Sequence, residues 1–350
     1  MNRYAKKITA IALASACVMM VPACSCKDVY FTTGLTSNDV FKIDGVATEL
    51  DEAMLYLTCE KNLYENSYGE EIWSQELSEG TTLLDYVKDT VKERLAQVSA
   101  LNRLAKKQKV TYSDKEEKKA RKAAQAYFDG LTEAEKEYMD VSLKSVEKAY
   151  SKYALAQKVY NEITKEVNPE ISDAQSLVIK VESIFLATST KDANGNVVKS
   201  SKAERKEIKK KMTEIRSLVC DDGAEFTDMA KKYSDDEKTE YVFGRGGMIE
   251  EYEKAAYALK AGEVSQVIST SDGFYLIKCI EDYMIEETQK NKEAIIAKEK
   301  DNAFMEIYKP YLETLTSEFN DEVGNGIDFT AAKDVKTSNF FDIYNKYMDE

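Results

Sequence analysis

Apolar residues recur at helical spacing through the first half of this chain. Leu84, Val87, Val91, Leu95, Val98 and Leu101 lie three or four apart, which predicts a long amphipathic helix over residues 81–108 with its apolar face in a core. A helix is also predicted over 49–66, after an apolar-periodic stretch from Val40 that holds the hairpin-like Lys42-Ile43-Asp44-Gly45-Val46. Ser113 with Glu116 and Thr132 with Glu135 have the spacing of capping boxes, so helices start near Asp114 and Glu133. The region up to Glu166 is therefore nearly all helix. In it Tyr150, Tyr153 and Tyr160 share one face. Ordinary burial is the favoured explanation of such a stripe, with an aromatic cradle for unfolded chains as the alternative.

The period changes at Asn168-Pro169, because proline lacks an amide donor and restricts the residue before it. Over 176–186, Leu177, Ile179 and Val181 alternate ahead of Ile184-Phe185-Leu186, which predicts a strand. Asn194-Gly195 marks a turn, and Ser201 with Glu204 caps a helix whose Ile208, Met212, Ile215 and Val219 fall on one face. Helices over 226–233 and 250–259 follow, the second after a glycine-rich segment. Residues 267–270 and 274–280 then pair across Ser271-Asp272-Gly273 as a hairpin. The expected order is β, α, α, α, β, β. Further helices are predicted over 286–319 and 340–347.

The N-terminus adds a location. Arg3, Lys6 and Lys7 precede an apolar run from Ile8 to Ala23 without an acidic residue, the pattern of an export signal and too short for a comfortable membrane span. The run ends at Val21-Pro22-Ala23-Cys24, which resembles the lipobox of bacterial lipoproteins. That resemblance implies that Cys24 is lipidated and becomes the mature N-terminus, tethering the chain to the outer face of the cell membrane. The alternative is plain secretion with cleavage after Ala16 or Ala23.

Composition narrows the chemistry. The 350 residues, 43% hydrophobic and 32% charged, suit one or two globular domains with a real core. The formal charge is -14 and becomes more negative once the signal leaves, which sets nucleic acid aside as a partner. There is no histidine, so no imidazole is available for acid–base work or for zinc. The cysteines form no metal-ligand pattern and no EF-hand loop is present, so neither a metal site nor a cofactor is expected. Of Cys26, Cys59, Cys220 and Cys279, the pair Cys220 and Cys279 is the disulfide candidate, with buried free thiols as the alternative.

An ordered set of segments then carries a resemblance. Ala224-Glu225-Phe226 with Met229-Ala230, Tyr233-Ser234-Asp235-Asp236, Phe243-Gly244-Arg245-Gly246-Gly247-Met248, Ala255-Ala256-Tyr257-Ala258-Leu259, Gly262-Glu263-Val264-Ser265 and Asp272-Gly273-Phe274-Tyr275-Leu276-Ile277-Lys278 follow one another at characteristic distances. Over residues 178–281 they resemble a parvulin-type peptidyl-prolyl cis-trans isomerase domain. With a lipobox in front and helices on both sides, the chain resembles the PrsA-type foldase lipoproteins and, more distantly, the SurA-type chaperones.

The resemblance implies an α+β fold, in which a helical chaperone domain formed by the N- and C-terminal segments carries an inserted parvulin-like β-α3-β2 domain. The expected segments are a signal peptide (1–23), a tether (24–38), the first part of the helical domain (39–175), the parvulin-like domain (176–281) and the second part of the helical domain (282–350). It further implies prolyl isomerisation in unfolded or partly folded exported polypeptides, with no nucleic acid among the partners. Met248 and Tyr252 fall on pocket-lining positions, Tyr252 where the family usually has Phe, and Asp236 falls beside the substrate carbonyl. Each also has a structural role open to it, in the core or in a turn. Ser183 and Tyr275 stand where the family has two mutually bonded histidines, and as hydroxyls they can bond each other or Thr270. The Gly-Asp-Leu-Gly segment of many parvulins is missing, replaced by the shorter Asp236-Glu237-Lys238-Thr239-Glu240-Tyr241-Val242. Two functions follow: an isomerase, or a holdase chaperone whose parvulin domain has lost the chemistry. A transporter's solute-binding lipoprotein is disfavoured, because no run of alternating βα units is present.

Overall fold

The computed structural model describes residues 27–28, 35–78, 80–191, 197–329, 332 and 334–349. Cys24, Cys26 and the Asn194-Gly195 turn lie outside the described residues. The chain divides into two compact units, one formed by residues 1–167 with 301–350 and the other by 168–300.

In the first unit, helices Leu50–Tyr68, Leu83–Gln108, Asp114–Gly130, Leu143–Thr164 and Phe340–Asp349 enclose a continuous core. The predicted capping boxes form: Ser113 and Glu116 exchange backbone amides, as do Thr132 and Glu135. The Asp44-Gly45 turn has positive φ at both residues, 46° and 71°, and joins strands Asp39–Ile43 and Val46–Glu49. One expectation fails here. The helix predicted over 286–319 stops at Leu312, and Thr316–Phe319 is a strand antiparallel to Asp39–Ile43, Phe319 opposite Phe41. Its partner is more than 270 residues away in sequence, so local periodicity carries no trace of the pairing.

Tyr150 and Tyr153 are 0% and 3% exposed and Tyr160 is half-buried, so this stripe belongs to the core rather than to an open cradle. The Tyr150 hydroxyl donates to the Phe340 carbonyl at 2.5 Å and Tyr160 donates to Asp301 at 2.7 Å. The returning segment is stitched in by the Glu135 carboxylate, which accepts from the Lys336 and Thr337 amides, and by Asn62, which donates to the Thr337 carbonyl. Cys59, buried, donates to the Ser338 carbonyl, and burial pushes its thiol up to about 12. Cys59, Cys220 and Cys279 are all free thiols, Cys220 exposed and Cys279 buried, so the Cys220–Cys279 bridge does not form.

Glu116 also accepts from Lys158 at 2.6 Å. Partial burial raises its pKa, but the Lys158 and Ser113 hydrogen bonds win and hold it down to about 2. A carboxyl depressed by folding contributes stability above its unfolded value and loses it as pH falls through the folded one. The stability difference between wild type and Glu116→Gln is therefore expected to be present at neutral pH, about 1 kcal/mol at most for so exposed a pair. Urea unfolding across pH should show it closing between about pH 4.5 and pH 2; a difference independent of pH removes Glu116 as the source.

The second unit is built on a four-stranded antiparallel sheet. Its strands are β1 (Ile179–Ala187), β2 (Glu240–Phe243), β3 (Ile268–Ser269) and β4 (Gly273–Glu281), in the order β3-β4-β1-β2. Three helices complete it: α1 (Lys202–Cys220), α2 (Phe226–Tyr233) and α3 (Glu250–Ala256). A small hairpin, Ser189–Lys191 with Val197–Lys199, follows β1. Strand periodicity sends alternate side chains to opposite faces. Ile184, Leu186, Phe274 and Leu276 pack with Met212, Ile215, Phe226 and Ala230 of α1 and α2. Ile179, Val181 and Ile277 pack on the other face with Tyr252 and Ala256 of α3. Strand β2 is absent from the expected β, α, α, α, β, β order. Its Glu-Tyr-Val-Phe sequence is rich in strand formers, a signal masked by the charged residues before it.

Candidate functional site

The α3 face of the sheet collects most of the expected site residues. Ser183 pairs with Ile277 and Tyr275 with Phe185, so Ser183 and Tyr275 share this face as diagonal neighbours. Diagonal positions on adjacent strands lie roughly 7–8 Å apart, a span that two rings close and a serine does not. Among the described residues no hydrogen bond joins Ser183 to Tyr275. The Tyr275 ring instead stacks on Phe185 at 4.4 Å and meets Tyr252 edge-on at 5.2 Å.

Thr270 goes elsewhere. Its hydroxyl donates to the Gly273 carbonyl at 3.1 Å and accepts from the Gly273 amide at 3.2 Å, closing the β3–β4 turn. It bonds neither Ser183 nor Tyr275. Arg205 of α1 secures the same turn by donating to the Thr270 carbonyl at 2.5 Å and to the Thr188 hydroxyl at 2.8 Å.

Tyr252 projects from α3 into the cluster and is 3% exposed. Its hydroxyl faces Ser183 yet has no hydrogen-bond partner of ordinary geometry. An unpaired buried hydroxyl costs about 1–3 kcal/mol, so this group is conspicuous in a small domain. Met248 packs in the same cluster and also lines a shallow concavity with Arg245, Glu250, Glu253 and Lys254, none of them an expected site residue.

Asp236 follows α2. Its neighbour Asp235 is committed to the sheet, accepting from the Ala187 amide at 2.8 Å. The Asp236 carboxylate receives only a long contact, 3.5 Å, from the Tyr241 hydroxyl, which also donates to the Lys238 carbonyl at 2.6 Å. Tyr241 was invisible as a site residue in the sequence. Strand β2 sets it opposite Val181 and hence on the α3 face. Burial raises the Asp236 pKa and the Asp235 charge adds to this, while Tyr241 offsets part. Burial pushes Tyr275 up to about 12 and Tyr252 further, the Ser183 hydroxyl offsetting some of the latter. At neutral pH the phenols are therefore O–H donors. The arrangement is an apolar floor of Met248 and aromatic rings with hydroxyl donors and one carboxyl at its edge. Such an arrangement offers apolar contact and hydrogen-bonding groups and sets no nucleophile against a base.

Fold and site together define a small α+β domain, a four-stranded antiparallel sheet with helices on both faces. The rotamase family, described as the PPIC-type PPIASE domain, matches residues 184–281. The peptidyl-prolyl cis-trans isomerase Pin1 of Digitalis lanata is 30% identical over 110 residues, which are 30% of this chain and 92% of that protein. The foldase protein PrsA of Caldanaerobacter subterraneus subsp. tengcongensis is 28% identical over 219 residues, 61% of this chain and 62% of that protein. The foldase protein PrsA of Clostridium botulinum is 26% identical over 263 residues, 70% of this chain and 75% of that protein. The chain thus spans under two thirds of the first of these foldases. It belongs to the parvulin, or PPIC-type, family of peptidyl-prolyl cis-trans isomerases.

Proposed function

We propose that the protein is an extracytoplasmic foldase, lipid-anchored through Cys24, that binds partly folded exported polypeptides and accelerates rotation about their X-Pro bonds. The observation that carries this reading is the gathering of Met248, Tyr252 and Tyr275 over one face of a PPIC-type sheet, with Asp236 beside them through Tyr241. The similarity to foldases over both units supports the client class. The anchor rests on the sequence before Cys24. No helix among the described residues is long and apolar enough to cross a membrane.

Rotation about a prolyl bond crosses a barrier of about 20 kcal/mol and forms no covalent intermediate. In this reading the proline ring sits against Met248 and the Tyr252 and Tyr275 rings, away from water, which favours the less solvated twisted amide. Asp236, Tyr275 and Ser183 stand at the amide's polar edge as hydrogen-bonding groups. A protease-coupled assay with the mature chain and an Ala-Pro peptide is expected to show acceleration. Asp236→Ala and Met248→Ala should each lower kcat/KM about tenfold, the size of one lost positioned contact. With no histidine, Tyr275 pushed up to about 12 by burial and Tyr252 and Tyr241 also raised, the rate should be flat through neutrality and change on the acid side, where Asp236, itself raised by burial, gains its proton. A bell centred near neutrality contradicts this site.

A second reading, a holdase with an inactive parvulin domain, is favoured by one observation, that Ser183 and Tyr275 make no bond to each other. A folded chain that suppresses client aggregation and leaves isomerisation at its spontaneous rate would establish it.

A further inference from the structure

Strand β2 ends the sheet order, so one of its edges meets β1 and the other meets no strand among the described residues. The register decides which groups face outward. Ser183 donates its amide to the directly opposite Thr239 carbonyl at 2.8 Å, and β2 continues that register with Tyr241 opposite Val181 and Phe243 opposite Ile179. Hydrogen-bonded pairs alternate with non-bonded ones in an antiparallel ladder, so Tyr241 and Phe243 turn their amides and carbonyls to β1, and Glu240 and Val242 turn theirs away from it. Both outward residues are exposed, and among the described residues no group bonds their amides or carbonyls. An open edge of this kind is a template for a further strand, and soluble proteins blunt it with proline, a bulge or outward charge. Strand β2 has neither proline nor bulge, and its Val242 is 49% exposed. The opposite edge of the sheet offers less. Strand β3 is two residues long, and Arg205 donates to the Ser269 hydroxyl and the Thr270 carbonyl there.

We propose that β2 holds the client: an extended client segment pairs with its open edge as an added strand, through the outward amides and carbonyls of Glu240 and Val242, with the X-Pro bond just beyond the paired residues. The inference rests on the polypeptide client of the isomerase reading and adds how that client is held. Backbone pairing reads no side chain, which suits clients of unrelated sequence. Proline has no amide to give, so it falls outside the ladder. The edge is continuous with the site, since Tyr241 of β2 lies on the α3 face and its hydroxyl reaches Asp236. Charge selects the occupant. Asp235, Asp236, Glu237 and Glu240 precede and begin the strand, against Lys238 and the Lys180 that pairs with Glu240 at 3.0 Å. A second copy of β2 would bring the same carboxylates against these, in a chain of formal charge -14, whereas a client segment carrying lysine or arginine is drawn to them.

The test uses the full mature chain and a fluorescein-labelled peptide that alternates Lys and Val ahead of Ala-Pro. Val242→Pro removes one outward amide and leaves the β1–β2 bonds in place, a substitution that an edge strand accepts on its open side. Val242→Ala keeps the amide and controls for the side chain. Fluorescence anisotropy is expected to show binding weakened about tenfold by the proline and less than about twofold by the alanine. A peptide with Glu in place of Lys should bind more weakly than the Lys peptide, by a margin that shrinks with added salt. In isotopically labelled wild type, saturating peptide should slow hydrogen exchange at the Glu240 and Val242 amides, with those of Tyr241 and Phe243 slow throughout. That measurement decides the matter should the proline variant fail to fold. Unchanged exchange at Glu240 and Val242 with peptide bound overturns the inference. So does slow exchange that needs no peptide and strengthens with protein concentration, the mark of a second copy on the edge. Isomerisation is followed on the same samples: acceleration without protection of the edge sinks this inference alone, and protection without acceleration sinks the isomerase reading alone.

Discussion

Phe340→Ala is expected to cost the first unit about 4 kcal/mol of stability, the range for truncating a fully buried phenylalanine. Phe340 is 0% exposed, and its ring lies within 4.5 Å of the Tyr150 centroid, 5.1 Å of Tyr127 and 5.4 Å of Tyr56. These rings come from three helices of the N-terminal segment, whereas Phe340 comes from near the end of the chain. The alanine would leave a cavity walled by aromatic rings that cannot close around it, because Tyr150 is also held by its bond to the Phe340 carbonyl. Urea unfolding followed by circular dichroism gives the value. A loss below 1 kcal/mol would mean that the C-terminal helix is not seated as described. The same geometry says that the N-terminal helices need the returning segment to complete their core, which is how two stretches so far apart form one unit.

In the second unit the largest effect is expected from Gly273→Ala, a loss of about 3 kcal/mol together with the proposed isomerase activity. Gly273 pairs with Ala187 at the start of β4. A methyl group on it would stand 2.2 Å from the Leu186 carbonyl oxygen and 2.5 Å from the Phe185 ring. The first of these is backbone in the central strand and cannot move without breaking the β1–β4 ladder. Shifting β4 instead would release the Thr270 bonds to Gly273 and carry Tyr275 off Phe185. Unfolding and peptide assays on the same sample should therefore fall together. Normal stability in the variant would show that the strands approach less closely than the structure has them.

Much of the fold was legible locally because the signals are local. Heptad-like apolar spacing, three capping boxes and the Asp44-Gly45 turn each involve residues within a few positions of one another, and each appears where the pattern puts it. The failures share a cause. The strand Thr316–Phe319 exists only because Asp39–Ile43 offers it an edge, and β2 only because β1 does. Ladder partners hundreds or tens of residues away leave no periodicity in the strand itself.

The site divides in the same way. Met248, Tyr252, Asp236, Ser183 and Tyr275 could be singled out from ordered motifs, and the sheet and α3 place four of them on one face. Tyr241 could not, since its place beside Asp236 depends on β2. Nor could the sequence show that Thr270 is used up by its turn, or that diagonal register keeps Ser183 from Tyr275. Helical periodicity, membership of the family and the lack of any imidazole could be read from residue type and spacing alone. Only the tertiary structure decided which hydroxyls are already bonded and which is left over. Hydrogen-bond satisfaction belongs to the three-dimensional neighbourhood, and the unpaired oxygen of Tyr252 has no counterpart in the one-dimensional pattern.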